Sequence, residues 1–255
     1  MIKIKQLGKR FKDEWVLKGI EMEVKPGEIV GLVGPNGAGK TTLLNIIAGV
    51  WLPSEGSVEI DGINATDRRR DVNQILGYIP DIPFMYPKLT GREFLEFVGS
   101  LYKVEKGTIN KKISELERAL EISPWLDGLM EAFPRGVRQK MMLSAMLLHS
   151  PRVLLLDEPT ANLDPKSARM VKELLQRMAQ AKQKRQASIL LSTHILEIAQ
   201  KLCGRLVILD KGKIIAQGTM DELRQMAKSP ESNLEDIFLH LTGGETFAEL
   251  LKYLS

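Results

Sequence analysis

The chain carries the octapeptide Gly34-Pro35-Asn36-Gly37-Ala38-Gly39-Lys40-Thr41. It fits the pattern G-x-x-x-x-G-K-[ST], and it lies between an apolar stretch typical of a strand and a repeat of apolar residues typical of a helix. Glycines let successive backbone N–H groups surround phosphate oxygens, and the following helix directs its positive end at the anion. Lys40 supplies a charge for the β- and γ-phosphates, and Thr41 offers a hydroxyl to Mg²⁺. The segment, together with Thr42, therefore predicts an ATP and Mg²⁺ site. A chance glycine-rich turn would not explain the strand, the Lys-Thr pair and the helix around it.

A second motif places two carboxylates at the end of an apolar strand. Residues 153–156 read Val-Leu-Leu-Leu, and Asp157 and Glu158 follow directly. Because unpaired charge is costly to bury, the acid needs a partner, and the magnesium ion at the phosphate loop is that partner, held by Asp157 through water. Glu158 is placed to polarise the attacking water as general base. The alternative is a strand that simply ends in solvent.

His194 ends another apolar strand, at residues 189–194. A histidine at such a position could be a satisfied core or capping residue. Beside a phosphate loop and a pair of acids, we favour a contact to the γ-phosphate. His149 and His240 lack this context, and we interpret both as structural.

The composition is that of an ordinary globular enzyme. The 255 residues are 44% hydrophobic, 27% charged and 5% aromatic, enough for one large α/β domain or two coupled lobes. The net charge of +4 is scattered along the chain, so we expect no nucleic-acid partner. Cys203 is the only cysteine, which excludes an internal disulfide, fits a reducing cytosol and favours a small packing residue. We expect no signal peptide and no membrane span, because the apolar runs are strand-sized and a span needs about 20 residues.

The order of elements predicts an α/β fold. It consists of a P-loop NTPase core with an N-terminal antiparallel β subdomain and an inserted α-helical lobe at about residues 82–150. A capping box at Thr90–Glu93 opens one helix of this lobe, and a second helix carries Ile113, Leu116, Leu120 and Ile122. Asp164 and Pro165 begin a later helix. We assign residues 1–220 to one ATPase domain and residues 221–255 to a C-terminal helical tail.

In this order, the motifs resemble the ATP-binding subunit of ABC transporters over essentially the whole chain. The resemblance implies two such subunits that hold Mg·ATP between them and hydrolyse it to drive a separate integral membrane permease, on the cytoplasmic face of the cell membrane. It assigns adenine stacking to Phe11, a metal contact to Asp81, communication across the dimer to Asp164 and the γ-phosphate switch to His194. It also implies that the surface at residues 83–89 receives a short helix of the permease.

Two positions depart from the family pattern. The signature, typically Leu-Ser-Gly-Gly-Gln or Tyr-Ser-Lys-Gly-Met, is here Phe133-Pro134-Arg135-Gly136-Val137. Pro134 removes the serine hydroxyl and an N–H that would reach the facing subunit's γ-phosphate, whereas Gly136 still offers a backbone amide. Asp81 stands where the family usually has Gln, so the metal environment should differ.

The C-terminal sequence 234–243 resembles the ending of subunits that serve exporters with separate membrane chains. An amphipathic helix explains the same residues. We therefore expect an export ATPase, with a homodimer favoured because Lys40, Asp157, Glu158 and His194 are all kept. Two alternatives remain open at this point: a soluble ABC-type ATPase outside transport, and a regulatory nucleotide-binding subunit with weakened hydrolysis.

Overall fold

The N-terminal part of the chain forms a four-stranded antiparallel sheet. The computed structural model describes residues 1–161, 163–181, 186–228 and 231–242. The strands, in the spatial order β2-β1-β4-β5, are β1 (Ile2–Phe11), β2 (Glu14–Val24), β4 (Glu55–Ile60) and β5 (Ile63–Asn64). Apolar and polar residues alternate at the start of β1, where Ile2 and Ile4 are buried and Lys5 is exposed. The antiparallel β subdomain predicted from the sequence is thus confirmed.

A six-stranded sheet forms the second layer and positions the site. Its spatial order is β10 (Lys213–Gly218), β9 (Arg205–Asp210), β3 (Ile29–Val33), β8 (Ser188–Ser192), β7 (Val153–Asp157) and β6 (Leu76–Ile79). All neighbouring strands are parallel except the β9–β10 hairpin. Parallel strands bring their carboxyl ends to one edge, where ligands of α/β folds bind. The phosphate loop after β3, the acids at the end of β7 and the histidine after β8 therefore meet.

Nine α-helices lie in the described part of the chain. They are α1 (Lys40–Ile47), α2 (Arg69–Asn73), α3 (Gly91–Leu101), α4 (Lys106–Ala119), α5 (Arg135–Leu148), α6 (Pro165–Ala179), α7 (Leu196–Leu202), α8 (Met220–Met226) and α9 (Leu234–Thr242). Thr90 and Glu93 form the predicted capping box of α3, and Asp164 caps α6. The prediction that α4 continues through Ile122 was wrong. Glu121 has φ +53, which no right-handed helix accommodates, although Leu120 and Ile122 are buried as expected.

Alternation along the buried strands divides the core between two layers. Val153 and Leu155 of β7 point toward the antiparallel sheet and α1, whereas Leu154 and Leu156 point toward the helices α3–α6. The helical segment thus shares one apolar cluster with a face of the central sheet. A third cluster joins α7, α8 and α9 through residues such as Leu223 and Ile237.

Part of the predicted C-terminal tail, residues 243–255, lies outside the described residues. Among the helices that are described, none is both long and apolar enough to cross a bilayer.

Candidate functional site

The phosphate loop depends on glycine at two points. Gly39, immediately before α1, has φ +107, and a Cβ there would lie 2.7 Å from Cδ2 of Leu17. At Gly34 a Cβ would lie 2.2 Å from the carbonyl oxygen of Leu209. Side chains at either position would collide with neighbouring strands, so the sequence pattern follows from close backbone packing as well as from the ligand.

Lys40 begins α1 and is almost fully buried. Its Nζ donates hydrogen bonds to the carbonyl oxygens of Gly34 at 2.7 Å and Pro35 at 3.0 Å. Burial lowers the pKa of the Lys40 ammonium group, while the nearby charges of Glu158 and Asp157 oppose that shift. The lysine is thus held inside the curve of the loop, facing the acids at the end of β7. The backbone of Ala38 makes two hydrogen bonds that close the loop. Its N–H donates to the carbonyl oxygen of Pro35, and its carbonyl oxygen accepts from the N–H of Gly212.

The hydroxyl of Thr41 and the carboxylate of Asp157 are in direct contact. Thr41 Oγ1 donates to Asp157 Oδ2 at 2.8 Å, although the residues are 116 positions apart. Asp157 is buried and also accepts a hydrogen bond from the hydroxyl of Ser192. Hydroxyl and carboxylate oxygens are ligands that suit Mg²⁺, and Asp81 lines the same cavity. This donor set fits the metal that the sequence implies.

Glu158 is fixed by several contacts around its carboxylate. Oε1 accepts from the backbone N–H of His194 at 2.8 Å and lies 2.7 Å from His194 Nδ1, and Oε2 accepts from Thr193 Oγ1 at 3.1 Å. Its backbone has φ +50, which is uncommon and costly for a residue with a side chain. The carboxylate is therefore held in one orientation at the end of β7, in contact with His194, the residue predicted to contact the γ-phosphate.

These elements surround a cavity of about 500 Å³. The predicted site residues that line it are Asn36, Gly37, Gly39, Lys40, Thr41, Thr42, Asp81, Asp157, Glu158 and His194. The sequence reasoning missed three further lining residues, Val16, Arg135 and Ala161. Of these, only the cation Arg135 carried a signal, because it stands at the start of a helix inside the signature segment. Val16 reaches the cavity from β2, which the sequence gives no means to foresee.

Of the predicted residues outside the phosphate loop, three lie away from the cavity lining. Phe11, at the end of β1, packs edge-on against Trp51 with ring centroids 5.1 Å apart. Gly136 lies in the first turn of α5, and Asp164 accepts hydrogen bonds from the backbone and hydroxyl of Ser167, which lower the pKa of its carboxyl group. Their roles toward adenine and toward a second subunit stay predictions.

A family model described as "ABC transporter" matches residues 17–161, more than half of the chain. The chain belongs to the ABC transporter family. Within it, "ABC-type transporter ATP-binding protein EcsA" of Bacillus subtilis is 35% identical over 95% of this chain and 96% of its own length. "Nod factor export ATP-binding protein I" of Ralstonia nicotianae is 31% identical over 88% of this chain and 68% of its own length. A second family model, "AAA domain, putative AbiEii toxin, Type IV TA system", matches residues 130–199.

Solved structures of ABC ATPases share this fold. An ATP-binding subunit of an ABC transporter is 31% identical and superimposes with a TM-score of 0.89, covering 95% of this chain and 99% of that one. An ATP-binding cassette in a dimeric post-hydrolysis state, bound to ADP and Pi, is 25% identical with a TM-score of 0.78, covering 86% of this chain and 99% of that one. The P-loop NTPase fold and the ATP-binding subunit predicted from the sequence are confirmed.

Proposed function

We propose that this ABC ATPase binds Mg·ATP in the cavity above the phosphate loop and hydrolyses it with Glu158 as general base. The observation that carries the proposal is the convergence of Lys40, Thr41, Asp157, Glu158 and His194 on one cavity at the carboxyl edge of the sheet. Loop N–H groups and Lys40 would take the phosphates. Thr41, Asp157 and Asp81 would hold Mg²⁺, which when bound neutralises charge on the phosphates.

Glu158 and His194 have complementary tasks in this proposal. Glu158 would accept the proton of the attacking water, and its fixed position would orient that water. In the structure His194 is engaged with Glu158, and its side chain is 59% exposed at the cavity. An exposed imidazole can turn toward a phosphate, as the γ-phosphate contact requires, and Glu158 would then be released for water.

A second copy of the chain would complete the site. We propose a homodimer in which the start of α5, with Gly136, faces the nucleotide of the partner, and Asp164 and Phe11 act as the family resemblance implies. The dimeric cassette with ADP and Pi supports this arrangement by similarity. Pro134 is the residue before α5 and provides no side-chain cap, so no hydroxyl is offered at that position.

The partner driven by ATP hydrolysis would be an integral membrane permease, and the ATPase would bind it as a peripheral subunit on the cytoplasmic face of the membrane. Next to the Asp81 loop, Ile82 is 83% exposed and Phe84 76% exposed. Tyr86 packs edge-on against Phe84 and Phe97, with ring centroids 5.7 and 5.4 Å apart. Exposed apolar side chains of this kind indicate a protein interface. Export is favoured because one relative is named as an export protein.

A regulatory subunit with weakened hydrolysis is the second candidate, favoured by Pro134 and Asp81. Turnover by the purified chain separates the two. We expect ATP hydrolysis that stops when EDTA removes Mg²⁺ and returns when Mg²⁺ is restored. Nucleotide binding without turnover, alone and with the co-purified permease, would favour the regulatory subunit, and no binding at all would contradict the proposed function.

A further inference from the structure

Two side-chain hydrogen bonds join one face of α1 to neighbouring strands. The first is the bond from Thr41 to Asp157 at the end of β7. In the second, Asn45 Oδ1 accepts from the hydroxyl of Tyr78 in β6 at 3.1 Å. Residues four apart lie above one another on a helix, so Thr41 and Asn45 share the side of α1 that faces these strands. The proposed function uses the first bond and leaves the second without a role.

Tyr78 combines an apolar ring with a hydroxyl close to the site. It is half-buried, and its ring packs in the apolar cluster between α1 and the central sheet. It pairs with Leu155 of β7, two residues before Asp157. Burial raises the pKa of the Tyr78 hydroxyl, and the negative charges of Asp157 and Asp81 raise it further. The hydroxyl is therefore a neutral donor near the carboxylates of the proposed metal site, and Asn45 is its acceptor.

The residues proposed to hold Mg²⁺ come from three separate elements. Thr41 lies in the first turn of α1, Asp157 ends β7, and Asp81 lies two residues beyond the end of β6. The bond from Thr41 joins α1 to β7, and strand pairing joins β7 to β6. The bond between Tyr78 and Asn45 closes this triangle, because it joins α1 directly to β6, three residues before Asp81.

We propose that Tyr78 is a positioning residue of the magnesium site. Its bond to Asn45 sets where Asp81 lies relative to Thr41 on α1. Asp81 itself is exposed, so its position depends on the strand end that carries it. Mg²⁺ requires near-ideal octahedral geometry, and a small displacement of one contact therefore weakens its binding. The inference rests on the proposed function, because it takes Thr41 and Asp81 as metal contacts.

Nucleotide affinity with and without Mg²⁺ tests this proposal. AMP-PNP, an ATP analogue that is not hydrolysed, is titrated into the purified chain in Mg²⁺ and in EDTA, and the ratio of the two affinities measures the gain from the metal. Tyr78→Phe keeps the ring in the apolar cluster and removes the hydroxyl. We expect the ratio to fall about three- to tenfold, less than the roughly 10–100-fold lost when a group bonded directly to a metal ligand is removed. Affinity in EDTA should stay at the wild-type value.

Asn45→Ala removes the acceptor of the same bond and should lower the ratio to a similar extent. The double variant should lose little more than either single variant, because both changes break one bond. Losses that add in the double variant would contradict the proposal, since the two residues would then act independently. Asn45→Ala also supplies the test if Tyr78→Phe does not fold.

A matched control is Tyr102→Phe. It removes the hydroxyl of another half-buried tyrosine, which stacks on His149 outside the cavity lining, and it should leave the ratio unchanged. The proposal is overturned if Tyr78→Phe keeps the wild-type ratio, or if it weakens binding equally in Mg²⁺ and in EDTA, as a packing defect would. Failure of the proposed function looks different, because the wild-type chain would then bind AMP-PNP no better with Mg²⁺ than in EDTA.

Discussion

The imidazole Nδ1 of His194 lies 2.7 Å from Oε1 of Glu158, and the backbone N–H of His194 donates to the same oxygen at 2.8 Å. With its proton on Nδ1, the imidazole donates to the carboxylate and leaves Nε2 free. The residue proposed to touch the γ-phosphate is thus in contact with the residue proposed to activate water. Two strand ends, those of β7 and β8, make this pairing possible.

His194→Ala should lower kcat more than it affects ATP affinity. It removes the ring that orients Glu158 and the proposed contact to the γ-phosphate, whereas Lys40 and the loop amides remain. We expect a loss on the order of 10²-fold in turnover, the lower range for a group that assists proton transfer. His240→Ala, on the exposed face of α9, is the control and should keep wild-type rates. Undiminished turnover in His194→Ala would contradict the assigned role.

Pro134→Ser tests whether the departure in the signature slows hydrolysis. Serine would restore a hydroxyl at the start of α5 and the N–H that proline lacks. A charge-assisted hydrogen bond is worth about 1.5–3 kcal/mol, so each site could run roughly 10–100-fold slower than one with serine. We expect at least a several-fold rise in ATPase of the purified, assembled complex. No change, with one type of ATPase chain present, would mean that Gly136 and the other backbone amides already suffice.

Tyr86→Asp tests the surface proposed to receive the permease. Tyr86 is 43% exposed and joins Phe84 and Phe97, so a charge there would disrupt an apolar contact with a partner. We expect loss of permease from the purified complex, or ATP hydrolysis that no longer drives transport, with nucleotide affinity preserved. Because Tyr86 also lies 6.3 Å from the buried ring of Phe94, the thermal midpoint must be measured in parallel. If the Tyr86→Asp variant assembles with the permease and supports transport normally, Tyr86 serves only packing within the chain.

The sequence predicts the site best where function is encoded by neighbouring residues. Gly34–Thr41 and Asp157–Glu158 each lie at the end of a strand, so the motif predicts the chemistry and the strand predicts where its groups lie in the fold. The parallel sheet then brings β3, β7 and β8 to a common edge, which the alternation of strands and helices already implies.

The residues that escaped prediction reach the cavity through tertiary structure. Arg135 arrives from the helical segment and Val16 from the antiparallel sheet, and no sequence spacing connects either with the phosphate loop. The positive φ of Glu158 could not be predicted from the sequence either. The tight turn after β7 imposes this backbone conformation on glutamate, which rarely adopts it. The predicted end of α4 was wrong for a similar local reason, the positive φ of Glu121.

The account depends most on Glu158, and Glu158→Gln tests it most directly. The amide keeps the shape of the side chain and removes both the base and a negative charge beside the γ-phosphate. Turnover by the purified chain should fall on the order of 10²–10⁴-fold, while Mg·ATP still binds and size-exclusion chromatography with light scattering shows a stable ATP-bound dimer. Wild-type turnover in Glu158→Gln would contradict the account.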